Sequence, residues 1–251
     1  MEATEPAGPV LERRKRRWVL PVALVVVTLL GLGGVGGGAF TLNRELTRTP
    51  TRVEIDAASV AEVAQRWRRL TAAETFPATI PYSAEYSADD LDAHRIGIVA
   101  PQACGLAFDA KAATVLTRHR CSVALRATYQ DGSGTMVATL GVAVFPDIAT
   151  ASAAQAELSA AIDSDKAGIR AVGFADTAAG TFGDGQRQRW SEEFNNEPYL
   201  YFVTVGWADG RPTLPVAQQT EDFGFYSNLL TQVALTFQLS SDPCKAKGIR
   251  C

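Results

Sequence analysis

Residues 122–145, SVALRATYQDGSGTMVATLGVAVF, decide the fold that we expect for this chain. Alternate positions from Val123 to Tyr129 are apolar, which is the period of a β-strand with one buried face. The four residues 131–134, DGSG, are typical turn formers, and the apolar run that follows them ends before Pro146. This stretch therefore predicts an antiparallel hairpin with strands at 122–129 and 135–145.

The same layout occurs again farther along the chain. The first hairpin is followed by an alanine-rich helical pattern at 148–162, and residues 169–174 then indicate a strand. Runs at 187–194 and 199–207 flank turn residues as a second hairpin, and 222–239 has a helical apolar period. We therefore expect an α+β domain, with an antiparallel sheet built from two β-hairpin/helix units and helices packed on it.

Ahead of the hairpins the pattern is more irregular. We expect an opening helix capped by Asp56 or by Ser59, because each precedes a helical apolar period. Two prolines predict a loop at 75–82, a short apolar run predicts a strand at 94–100, and 109–117 predicts a helical turn.

An uncharged stretch of 23 residues at 18–40 predicts one transmembrane helix before the folded domain, since about 20 residues cross the hydrocarbon core. The basic cluster at 13–17 directly precedes it and predicts a cytoplasmic N-terminus. The expected organisation is a cytoplasmic basic tail at 1–17, the transmembrane helix at 18–40, a tether at 41–55, an extracytoplasmic α+β domain at 56–240 and a cysteine-containing tail at 241–251. A cleavable signal peptide is the alternative.

Glycines in the predicted span have two interpretations. The pairs Gly33/Gly37 and Gly34/Gly38 have the small-xxx-small spacing that lets two transmembrane helices approach closely, so they predict a possible homodimer contact. The alternative is a flexible, glycine-rich end of the span.

All four cysteines follow the predicted span: Cys104, Cys121, Cys244 and Cys251. An even number outside the cytoplasm indicates disulfides, and three connectivities are possible. Local pairing, Cys104 with Cys121 and Cys244 with Cys251, is the simplest of the three.

The sequence contains no recognisable catalytic motif. It has no G-x-S-x-G, H-E-x-x-H, Walker or C-x-x-C pattern. His94 follows an acidic stretch and His119 lies between two arginines, contexts typical of solvated surface. Together with Cys104 and Cys121 they offer zinc-type donors, but without the spacing of a zinc site. We predict neither an enzyme nor a bound metal or cofactor.

Charge and aromatic content bear on possible partners. The chain beyond residue 40 has a net charge of −5, so it repels phosphate backbones and we expect no nucleic-acid partner. The second hairpin has large rings on both faces, and we take them as the candidate binding surface: Trp190, Tyr199, Tyr201, Phe202 and Trp207. If helices cover both faces, the rings are instead core.

The order of elements resembles that of actinobacterial single-pass membrane proteins whose extracytoplasmic domain is similar to PsbP/Mog1-like envelope lipoprotein and sensor domains. The resemblance rests on Cys104 and Cys121 before a strand, on the hairpin 122–145, on residues 172–178, VGFADTA, and on the closing helix. Ala175 stands where those families tend to have a second glycine, and their lipid-bearing cysteine is absent. The resemblance implies an α+β sandwich in the cell envelope, with no shared activity to carry over.

These patterns predict a membrane-anchored extracytoplasmic binding or sensing module without enzymatic activity. The expected partners are the membrane, another envelope protein or a cell-wall component. The alternative is a structural or accessory subunit of an envelope membrane complex, for which the glycine pairs are the best support.

Overall fold

The computed structural model describes residues 12–83, 90–161, 168–215, 225–238 and 243–245. Contacts divide the chain into two units, Met1–Thr51 and Arg52–Cys251. The second unit contains the sheet, so the folded domain begins about four residues before the predicted boundary at 56.

The first unit contains one long helix, α1 (Glu12–Thr47). It includes residues 41–47 of the predicted tether, and its described apolar side chains, such as Leu24 and Leu30, are exposed. Within the described ranges, no helix combines the length and the apolar character that a membrane crossing requires. The transmembrane helix at 18–40 stays a prediction. Gly37 and Gly38 have open space around them, whereas the surroundings of Gly33 and Gly34 lie outside what is described.

The second unit is built on a six-stranded, fully antiparallel, curled sheet. Its strands are β1 (Thr79–Ser83), β2 (Asp90–Gln102), β3 (Val123–Gln130), β4 (Met136–Val144), β5 (Arg187–Glu193) and β6 (Tyr199–Trp207). Their order is β1-β2-β3-β4-β6-β5, so β4 pairs with β6 and joins the two hairpins edge to edge. The α+β class and both predicted hairpins are confirmed.

Helices cover both faces of this sheet. They are α2 (Arg52–Arg69), α3 (Ala72–Thr75), α4 (Cys104–Ala107), α5 (Ala110–Arg118), α6 (Ile148–Ala161) and α7 (Phe225–Leu235), with a 3-10 turn at Pro243–Lys245. α2 and α7 pack on one face, where α7 contacts both β1 and β6; we call this the concave face. α4, α5 and α6 pack on the other, convex face.

The segment 168–186 crosses the convex face, and the strand predicted at 169–174 is wrong. Only an isolated bridge joins Ile169 to Phe108. The main chain of Val172 is bonded by two threonine hydroxyls of the sheet: Thr128 Oγ1 donates to its carbonyl at 2.7 Å, and its N–H donates to Thr139 Oγ1 at 3.0 Å. Because side chains satisfy this backbone, the segment needs no strand partner.

Two other predictions before the first hairpin are wrong. The expected loop at 75–82 contains β1, an edge strand in which Pro81 is tolerated because only one side of the strand pairs. The opening helix begins at Arg52, so neither Asp56 nor Ser59 caps it, and Ser59 is buried within the helix.

The disulfide Cys104–Cys121 is confirmed, with Cα atoms 6.1 Å apart. It closes the segment that contains α4 and α5. Cys244 is also disulfide-bonded, and Cys251 lies outside the described residues.

Candidate functional site

The aromatic binding surface predicted on the second hairpin is wrong for three of its five residues. Tyr199, Tyr201 and Phe202 are each 0% exposed. Tyr199 lies 4.5 Å from the ring of Phe237 on α7, and Phe202 meets Phe108 edge-on at 4.7 Å on the convex face. Helices cover both faces of the hairpin, so the rings are core on either side.

The two tryptophans of that hairpin are partly exposed but do not form one surface. Trp190 pairs with Thr204 across β5 and β6. Thr204 and Trp207 are three residues apart on one strand and therefore point to opposite faces. Trp207 packs against the concave core and lies under the guanidinium of Arg211, 4.8 Å from its ring centre.

A pocket of about 280 Å³ opens at one end of the concave face. On one side it is bounded by the end of α2 and by α3, and on the other by the end of β2 and the start of β3. Its lining is mostly apolar: Trp67, Arg68, Leu70, Ala72, Thr75, Phe76, Ile98, Val99, Pro101 and Leu125. Mouths of curled sheets are common ligand sites, because side chains converge there without filling the space.

The sheet is open at this end for a local reason. β1 pairs only with residues 90–94 of β2, so the second half of β2 has a neighbour on one side only. The β2–β3 register then shifts between Val99 and Gln102, around Pro101. Such an irregularity turns side chains away from strict alternation, and the consecutive residues Ile98 and Val99 both reach the pocket.

The opposite wall is held by a buried hydroxyl. Tyr199 on β6 donates its hydroxyl proton to the carbonyl of Val63 and accepts the N–H of Trp67 at 3.5 Å. Both bonds are to the main chain of α2, so they set the position of its last turns. Thr71 and Glu74 then form a reciprocal capping box that starts α3.

Electrostatics at the rim come from α2. Arg66 and Arg69 both pair with Glu62, and Arg66 Nη1 also donates to the carbonyl of Thr236 at 3.0 Å. Arg68 is different: its guanidinium carbon lies 5.1 Å from the ring centre of Trp67, and within the described ranges it makes no ion pair. The ten lining residues include no acidic side chain, so the rim carries one uncompensated positive charge.

A second polar cluster lies at the turn between β5 and β6. Glu197 is 3% exposed, and neither its Oε2 nor the hydroxyl of Tyr201, which is 0% exposed, has a hydrogen-bond partner among the described residues. Burial, and then the neighbouring charge of Glu193, raise the pKa of Glu197 to about 7, against the opposing effects of Arg66 and of the Tyr201 hydroxyl. This carboxyl group therefore exchanges its proton near neutral pH.

The histidines and cysteines are not gathered into a site. His94 is exposed on β2, whereas His119 Nε2 lies 2.8 Å from Glu157 on α6. Cys104 and Cys121 are bonded to each other. Over the described ranges, no three His, Cys, Asp or Glu side chains lie together as metal ligands.

Sequence reasoning missed the pocket because its walls come from separate segments, each with an unremarkable apolar pattern. The one feature of the sequence that could have indicated the pocket was the pair Trp67 and Arg68 at the end of α2. The resemblance to PsbP/Mog1-like domains stays a prediction. Comparison of the chain with family models, with curated proteins and with solved structures finds no match.

Proposed function

We propose that this chain is a membrane-anchored extracytoplasmic binding or sensing module whose small ligand enters the pocket at the end of the concave face. The observation that carries the proposal is the pocket itself, apolar on both walls and positively charged at one rim. Pockets for drug-sized ligands measure roughly 300–1,000 Å³, so a volume of about 280 Å³ suits a small molecule.

Anchoring is the second part of the proposal. Its support is the uncharged run at 18–40 behind the basic cluster at 13–17, which favours an N-terminus inside the cell. The disulfide Cys104–Cys121 fits a domain that folds outside the cytoplasm.

A sensing role is supported by the way α2 is connected. Only residues 48–51 separate the end of α1 from the start of α2, and the other end of α2 carries Trp67 and Arg68 of the pocket. A ligand that displaces the last turns of α2 therefore acts on the element that follows the proposed anchor. In this proposal, α2 connects the pocket at its C-terminal end with the segment that follows the proposed anchor at its N-terminal end.

The test is calorimetric titration of the full chain in lipid nanodiscs with octan-1-ol, after subtraction of the heat from empty nanodiscs. Val99→Phe fills the pocket and should abolish the chain-dependent heat. Val60→Phe makes the same change at an exposed position on α2 outside the pocket, and should leave it unchanged. Equal binding by the Val99→Phe chain and the wild type would exclude the pocket as the site.

A further inference from the structure

We infer that the ligand of this pocket is a small amphiphile with an apolar body and one anionic group that pairs with Arg68. The inference rests on the proposed function and adds the chemical class of the ligand.

The first support is the contrast between Arg68 and its neighbours. Arg66 and Arg69 share the carboxylate of Glu62, and Arg66 is further occupied by carbonyls at the end of α7. Arg68, between them in sequence, has neither a carboxylate nor a carbonyl partner in the described part of the chain. A guanidinium has five N–H donors, and those of Arg68 are available to a carboxylate, sulfate or phosphate oxygen.

The second support is the placement of this charge. Arg68 lies over the ring of Trp67, 5.1 Å from its centre, a geometry in which the ring face attracts the cation. Trp67 and Arg68 both line the pocket, so the charge sits beside the apolar lining. A ligand with an apolar body inside the pocket and an anionic group at the rim would contact the apolar lining and pair with Arg68 at the same time.

The same arrangement discriminates against other ligands. A cationic amphiphile would meet Arg68 without any carboxylate in the lining to hold it. A neutral one would bury the same apolar area but leave the guanidinium unpaired. The two acidic groups nearest to Arg68 in sequence are both engaged elsewhere. Glu62 pairs with Arg66 and Arg69, and Glu74 accepts the N–H and hydroxyl of Thr71, at 2.7 and 2.8 Å.

The volume favours a free small molecule over a bilayer lipid, because about 280 Å³ leaves no room for two acyl chains. The matched probes are octanoate, octan-1-ol and octylammonium, which share one apolar chain and differ in the charge of the end group. They are titrated at pH 7 into the full chain in zwitterionic nanodiscs. We expect octanoate to bind about five- to tenfold more tightly than octan-1-ol, and octylammonium more weakly than either.

Arg68→Gln should reduce octanoate affinity to that of octan-1-ol, whereas Arg69→Gln, a matched change at a paired arginine, should preserve the preference. If octanoate and octan-1-ol bind alike, and Val99→Phe abolishes both, the pocket stands and the anionic ligand is excluded. An octanoate preference that survives in Arg68→Gln also overturns the inference. If none of the three probes binds, both the proposed function and the anionic ligand are excluded.

Discussion

Asp109 and Arg187, 78 residues apart in sequence, form a two-pronged ion pair, with Nη1–Oδ2 at 2.7 Å and Nη2–Oδ1 at 2.9 Å. Both side chains are largely buried. Asp109 precedes α5 and also accepts the N–H of Gly168, while Arg187 opens β5 and donates to the carbonyl of Ile169. The pair therefore joins α5, the segment 168–186 and the second hairpin on the convex side.

Replacing Asp109 with Asn should lower the free energy of unfolding by about 3 kcal/mol, because it removes the two-pronged partner of the buried Arg187 and leaves only the longer contact of its Nε with Asp184, at 3.5 Å. The matched control is Asp209→Asn, in the exposed pair with Arg211, which should change it by less than about 1 kcal/mol. Urea unfolding of both variants measures the difference. Similar small losses in the two would show that the buried pair is structurally dispensable.

Glu197 should make stability depend on pH between about 4.5 and 7. Its pKa in the folded chain, about 7, exceeds the ordinary value of 4.5, so the folded state holds the proton more tightly. Stability should therefore fall as the pH rises through this window and level off above it. In Glu197→Gln, the loss of stability between pH 5 and pH 8 should be smaller by about 1–3 kcal/mol than in the wild type, as measured by urea unfolding at the two pH values. Identical pH profiles for the two chains would contradict this.

Tyr199→Phe tests the bond that holds α2 on the sheet. The ring is retained and only the hydroxyl that contacts Val63 and Trp67 is lost. The free energy of unfolding should therefore fall by about 1–2 kcal/mol. Octan-1-ol should also bind more weakly, because the wall of the pocket loosens. Tyr226→Phe, at a half-buried ring of α7, is the control and should change neither quantity. Unaltered ligand binding in Tyr199→Phe would separate this bond from the pocket.

Gly141→Ala should destabilise the domain by about 1–3 kcal/mol, because a methyl group there would collide with Cδ1 of Ile169. The double variant with Ile169→Val, which lacks that atom, should recover part of the loss. Gly105→Ala serves as the control, since a methyl group at Gly105 meets nothing within 4 Å. Thermal unfolding of the four chains gives the comparison, and a tolerated Gly141→Ala would refute the close crossing.

The proposed topology predicts that an alkaline phosphatase fused at the C-terminus is active, because it is carried outside the cytoplasm. Replacing the five basic residues of 13–17 with Gln should lower that activity, since they specify the inside end. Strong activity from a cytoplasmic reporter at the same position would refute the orientation. A mature chain that begins near Phe40 would support the cleaved signal peptide instead.

Local patterns in the sequence were enough to predict much of the framework. The alternation from Val123 to Tyr129 and the turn after it define β3 and β4, because the strand period and turn chemistry act over neighbouring residues. The second hairpin and α6 follow in the same way. Proximity in sequence also identified the Cys104–Cys121 pair. By contrast, β1 was not predicted, because the two prolines of this stretch indicate a loop. A strand can contain proline there only because β1 lies at the edge of the sheet.

What covers each face was decided by tertiary structure alone. The alternation along β6 places apolar rings on both faces of the strand, with Tyr199 and Tyr201 on one face and Phe202 on the other. The burial of these rings depends on α7 and on Phe108, which are distant in sequence. Likewise, 169–174 has a strand composition, yet Thr128 and Thr139 take its backbone bonds. The pocket exists only because α2, β2 and β3 meet incompletely at one end of a curled sheet. The sequence by itself determined the local elements, since their periods are short-range; the candidate site arises from long-range packing, which no local period encodes.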